Sequence, residues 1–112
     1  MNLQIKQKWV NALRSGDYQQ GHNYLHTDNG FCCLGVLCDL YIKENNVEWE
    51  LVNDGDNYEF QHSDTYLPNS VVEWANLKYN NPIVNHEAST LATLNDIGFT
   101  FNKIADIIEE QL

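Results

Sequence analysis

Basic residues are scarce in this sequence: Lys6, Lys8, Arg14, Lys43, Lys78 and Lys103 stand against 16 Asp and Glu, a formal charge of −10 over 112 residues. A surface of that sign repels phosphate backbones and anionic lipid. Direct nucleic-acid binding therefore lacks the electrostatic term that supplies most of its affinity. The partner expected instead is a protein with a basic surface, or a small ligand. No apolar run approaches the roughly 20 residues of a membrane span, and MNLQIKQKWV at the start carries no signal-peptide core, so no membrane association is expected. The three cysteines, Cys32, Cys33 and Cys38, crowd one short segment, which no secreted disulfide framework does; reduced thiols in the cytoplasm fit better. With two prolines and no repeat, linker or low-complexity tract, residues 1–112 read as a single domain.

What is present is apolar periodicity. Trp9, Val10 and Leu13 share one side of a helix over about 3–14 with Leu3, while Gln4, Gln7, Lys8 and Asn11 lie opposite, and Ser15-Gly16 stops it. The stretch Gly30 to Lys43 is apolar nearly all round a helical projection, with a polar edge only at Cys32, Asp39 and Lys43. That pattern predicts a buried central helix. Ser70-Val71-Val72-Glu73 reads as a capping box opening a helix over 70–77. Ala88, Leu91 and Leu94 share a face over 87–97 until Gly98. Thr100 then caps a last helix over 100–111, with Phe101, Ile104, Ala105 and Ile108 at helical spacing.

Strand signals are shorter. Val47, Trp49 and Leu51 alternate with Glu48, Glu50 and Val52. The turn Asn53-Asp54-Gly55-Asp56-Asn57 follows, and Tyr58, Phe60 and His62 alternate again. Strands over 47–52 and 58–62, with a short extended piece at 24–27, make a small antiparallel sheet with an acidic face. Between Glu44 and Asp64 there are seven carboxylates and no Lys or Arg. The fold class expected is α+β, five helices around a hairpin sheet.

Candidate sites follow from residue chemistry. Cys32 and Cys33 stand at the expected start of the central helix, where free amides and the helix dipole lower a thiol pKa. Cys32, on the polar edge, is the nucleophile candidate of a small hydrolase or transferase. His86 or His22 is its base, His26 and His62 being further imidazoles, and Asp96 or Asn95 the orienting group. The competing expectation is that all three cysteines are small core residues. Metal chemistry is not expected: His22 and His26 lie roughly 13 Å apart if extended, and the Asp54–Asn57 turn, with Glu59 and Asp64 nearby, lacks the calcium-loop order. No cofactor is expected. The loop Tyr18-Gln19-Gln20-Gly21-His22 is the place for a pocket, giving Tyr18, Gln20 and His22 as binding candidates. On the hairpin, Trp49, Glu50 and Tyr58 offer an aromatic anchor rimmed by carboxylates, suited to a basic partner. The Leu94 to Ile108 segment resembles the opening helices of a helix-turn-helix unit, but with no basic recognition helix after it an αα-hairpin is expected.

The blocks Trp9-Val10-Asn11-Ala12-Leu13-Arg14-Ser15-Gly16, Tyr18-Gln19-Gln20-Gly21, Gly30-Phe31-Cys32-Cys33-Leu34-Gly35-Val36-Leu37-Cys38-Asp39-Leu40, Tyr66 to Ala75 and Leu94 to Phe101 together resemble a family of small proteins encoded by tailed bacteriophages and prophages. The resemblance spans nearly the whole chain, and Phe-Cys-Cys-Leu-Gly-Val-Leu-Cys is its distinctive part. It implies expression in the cytoplasm of a bacterial host, where small acidic phage proteins bind and block host factors. It supplies no catalytic residues. The expectation is a binding or inhibitor module rather than an enzyme. A Cys32 hydrolase or transferase, and a structural component of the virion, are the alternatives.

Overall fold

A computed structural model describes residues 1–52, 55–84 and 89–112. Along the chain, α1 (Leu3–Arg14) leads into β1 (His26–Thr27), β2 (Gly30–Phe31) and α2 (Cys33–Asn45). Then come β3 (Glu50–Leu51), β4 (Asn57–Glu59), α3 (Asn69–Ala75), α4 (Leu91–Asp96) and α5 (Phe101–Gln111). The fold is α+β: five helices and a four-stranded antiparallel sheet in the order β2-β1-β4-β3.

The apolar stretch expected at the centre is there. From Cys33 to Cys38 every residue of α2 is buried, and α1, α3 and α4 pack around it. Its beginning differs from the expectation. Gly30 and Phe31 form a strand instead of the first helical turn, pairing with β1 through Thr27↔Gly30 and His26↔Phe31. Gly30 has φ 152°, and a Cβ there would collide with the Gln19 carbonyl, so the position takes only glycine and the helix cannot begin on it. Further along α2, Gly35 lies directly under the Leu25 backbone. A Cβ at Gly35 would overlap the Leu25 carbonyl oxygen.

The flanking helices follow their caps. Asn2 accepts from the Ile5 N–H at the start of α1, and Ile5, Trp9, Val10 and Leu13 turn inward. Leu3, expected on that inner side, is 76% exposed because it lies in the first turn, beyond the edge of the core. The Thr100 side chain accepts from the Lys103 N–H, as expected of an N-cap, and α5 lies along α1. The capping box at Ser70 does not form. Pro68 is the N-cap of α3, and the Ser70 hydroxyl instead donates to Gln61 Oε1 at 2.6 Å. The helix also ends at Ala75, two residues earlier than expected, because Asn76 adopts the left-handed conformation at φ 55°. Within the expected 87–97 helix, α4 starts at Leu91 behind a Thr90 cap; residues 85–88 and 53–54 lie outside the described residues.

Candidate functional site

The sheet carries one side-chain row across all four strands. Phe31 on β2 faces His26 on β1, His26 faces Tyr58 on β4, and Tyr58 faces Leu51 on β3. Residues opposite one another in an antiparallel ladder share a face. The His26 ring stacks between Phe31 at 3.9 Å and Tyr58 at 4.3 Å. His26 Nδ1 lies 3.3 Å from the Gly30 carbonyl, an acceptor, so the neutral ring carries its proton on Nδ1. Burial lowers the His26 pKa against the opposing pull of that carbonyl and of Asp39 and Asp28, so the ring is neutral at pH 7.

Asp39 fastens this row to α2. It is 7% exposed. Its Oδ1 accepts from Trp49 Nε1 at 3.1 Å and its Oδ2 from the Tyr18 hydroxyl at 2.6 Å. Lys43, one turn on, reaches Oδ2 at 3.1 Å and places its ammonium over the Tyr18 ring. Burial alone would push the Asp39 carboxyl up, but the hydrogen bonds from Tyr18, Trp49 and Lys43 outweigh it and hold the pKa below the usual value. Burial and the bond to Asp39 push the Tyr18 phenol up to about 12. Beside this cluster opens a groove of about 630 Å³ lined by Asn11, Ser15, Asp17, Tyr18, Phe31, Asp39 and Lys43.

The hairpin's other face is acidic. Glu50 stands directly opposite Glu59. Among the described residues the side chain that approaches this pair is the well-exposed imidazole of His62, its Nδ1 4.0 Å from Glu59 Oε1. Leu51, on the opposite face of β3, is 59% exposed. Tyr58 donates its hydroxyl to Asp28 Oδ1 at 2.9 Å, and that bond raises its pKa.

The binding candidates thus separate. Tyr18, Trp49 and Tyr58 gather around Asp39 and His26, and Glu50 sits on the adjoining strand. Trp49, expected as an outward anchor, is half-buried with its indole N–H given to Asp39 and its ring against Phe60, so the outward apolar residue is Leu51. Gln20 is committed elsewhere: its Nε2 donates to Asn95 Oδ1 at 2.9 Å and to the Phe99 carbonyl at 2.8 Å. His22 is exposed on the same loop. Asp39, Lys43, His26 and Phe31 complete the cluster, beyond the expected binding residues. The signal in the sequence is an acid and a lysine four apart on an otherwise apolar helix.

The thiols are placed otherwise than a nucleophile requires. Cys32 is the N-cap of α2, where the Leu34 and Gly35 amides do lower its pKa, but it is 3% exposed. Burial wins, aided by the repulsion of Asp96, and pushes the thiol up to about 11. Burial pushes the Cys33 and Cys38 thiols well up too, and all three cysteines are free of disulfides. Among the described residues no imidazole hydrogen-bonds to Cys32; His86 lies outside them. Asp96 accepts from the Asn23 N–H at 2.9 Å and from Asn95 Nδ2 at 3.2 Å, so it orients a loop rather than a histidine. Asn95, fully buried, caps α2 from α4: its Oδ1 accepts from the Cys33 N–H at 3.2 Å, and its Nδ2 donates to the Gly21 carbonyl at 2.9 Å.

Among the described residues no three His, Cys, Asp or Glu are grouped to hold a metal ion, and no helix is long and apolar enough to cross a membrane. Asp54 of the acidic turn lies outside them. Over residues 1–112 the chain matches the family described as Domain of unknown function (DUF8296), and it belongs to that family. Comparison with curated proteins and with solved structures gives no match.

Proposed function

We propose that this DUF8296 member is a non-catalytic acidic binding module of the tailed-phage type, engaging a basic host protein in the bacterial cytoplasm through the β3–β4 hairpin. The observation that carries the reading is the pair Glu50 and Glu59, face to face with Glu50 exposed and Glu59 partly buried, and with no lysine or arginine of the described chain drawn to it. Like charges directly opposite in a ladder destabilise it. A cationic side chain from a partner removes that repulsion and gains charge-assisted hydrogen bonds. The Cys32 hydrolase alternative has less support, since a buried thiol with its pKa near 11 stays protonated and shielded.

The test is affinity capture from bacterial lysate with the native chain and with the E50K/E59K variant. The native chain is expected to retain a basic protein that elutes with rising salt, and the reversed hairpin to lose it. Equal retention of that protein by both rejects the hairpin as the contact.

A further inference from the structure

Among the described residues, one edge of the sheet is closed and the other is open. At β2 the chain segment before it lies alongside: the Phe31 N–H donates to the Gln19 carbonyl at 2.9 Å and the Gly21 N–H to the Phe31 carbonyl at 2.7 Å. At the other edge β3 has nothing beyond it in the strand order. Its polarity is fixed by the ladder. The Val52 N–H donates to the Asn57 carbonyl at 3.1 Å, which makes that pair a hydrogen-bonded one. The next pair, Leu51 with Tyr58, is then a non-hydrogen-bonded pair, and the Leu51 N–H and C=O point away from β4 into solvent.

Exposed edges are normally blunted by short length, charged side chains, proline or a bulge. β3 is two residues long, and the charges on and just before it are all acidic, Glu48 and Glu50, which repels acidic or like strands and leaves the edge open to a basic one. The run Glu48-Trp49-Glu50-Leu51-Val52 has neither lysine nor proline. It offers outward backbone groups at Leu51, an apolar face of Leu51 and Tyr58, and an acidic face of Glu50 and Glu59. We infer that β3 accepts an extended segment of a partner protein, in which Lys or Arg alternates with apolar residues, as a fifth antiparallel strand. This rests on the acidic-module reading and adds the mode of binding. A second copy of this chain is disfavoured as the occupant, because it would bring its own Glu48 and Glu50 against these carboxylates. In the added strand, the residue opposite Leu51 shares its apolar face and exchanges both backbone hydrogen bonds with it. The flanking basic side chains then fall on the Glu50 and Glu59 face.

The probe is an acetylated, amidated hexapeptide of alternating Lys and Val, titrated against the full chain by fluorescence anisotropy and amide exchange. Two backbone N-methylated copies carry the same charge, one methylated at the Val residues and one at the Lys residues. The expected result is binding of the parent and of the Lys-methylated copy, at least tenfold weaker binding of the Val-methylated copy, and slowed exchange of the Leu51 amide in the complex. Equal binding of all three peptides that E50K abolishes overturns strand addition and leaves the acidic module standing. Equal binding that E50K does not weaken overturns both. Absence of parent binding at millimolar peptide overturns strand addition, and the lysate experiment then judges the module by itself.

Discussion

The two edges of the four-stranded sheet are finished in opposite ways, and the contrast extends to the halves of the molecule they belong to. On the β2 side, Gln19 to Gly21 lies against the strand, and Asn95 binds that segment to the start of α2 and to α4. Backbones meet at van der Waals limits there, as at Gly35 under Leu25. On the β3 side, the strands are short, Leu51 is exposed and two carboxylates oppose each other. The first half holds itself together through interlocked polar and steric contacts that tolerate no change. The second region is joined through the β1–β4 ladder, the Asp39 cluster and the aromatic row, and its outer strand β3 is exposed. On the binding-module reading proposed above, stability and recognition fall to different regions, as expected where binding surfaces draw on the less stable parts of a fold.

The comparison breaks most visibly at Gly35. Gly35→Ala places a methyl on the Leu25 backbone, which cannot move aside as a side chain would, and a loss of about 3 kcal/mol or more is expected in urea unfolding. Asn95→Ala strips partners from the Cys33 N–H and the Gly21 carbonyl, both in the closed half. About 2–4 kcal/mol is expected, with amide exchange rising first over residues 19–23 and at the start of α2.

The junction between the halves titrates. The folded Tyr18 phenol is raised to about 12 from an ordinary 10, so the fold favours the protonated form. Its contribution is complete below pH 10 and is lost as pH climbs from 10 through 12. Because Tyr18 is only half-buried, about 1 kcal/mol is expected across that window. Tyr18→Phe removes this alkaline limb from a stability-versus-pH series. The smallest effect belongs to the open half: Glu59→Thr removes the repulsion with Glu50 and is expected to raise stability by roughly 0.2–1 kcal/mol in the same urea assay.

Legibility in the sequence followed the same division between local and distant causes. α1 and α5 are readable because their apolar positions repeat at helical spacing, and α5 also because Thr100 caps it within three residues. The β3–β4 hairpin is readable from alternation, but its strands are Glu50–Leu51 and Asn57–Glu59 where 47–52 and 58–62 are expected, and β1 is His26–Thr27 where 24–27 is; Gln61 and His62 take left-handed φ, which a regular strand does not accommodate. The beginning of α2 is not, since what makes Gly30 and Phe31 a strand is the backbone of Gln19 to Gly21 folding back on them. Nor is the α2 cap, which Asn95 supplies from 62 residues away. Among the site residues, Tyr18, Trp49, Tyr58 and Glu50 were accessible as exposed-pattern aromatics and acids. Their common centre at Asp39 required knowing that three separate segments converge there.

By itself, the amino-acid order determined the acidic character, the apolar rod at the centre and which segments coil, because charge and periodicity are properties of neighbours along the chain. Whether the helix-start thiol would be an exposed thiolate or a buried, protonated group was decided only by the tertiary structure. The same holds for which sheet edge is covered. Both depend on what lies across space from a residue: desolvation outweighs the pull of the helix-start amides on Cys32, and one loop covers Phe31 while no described residue covers Leu51, which is 59% exposed.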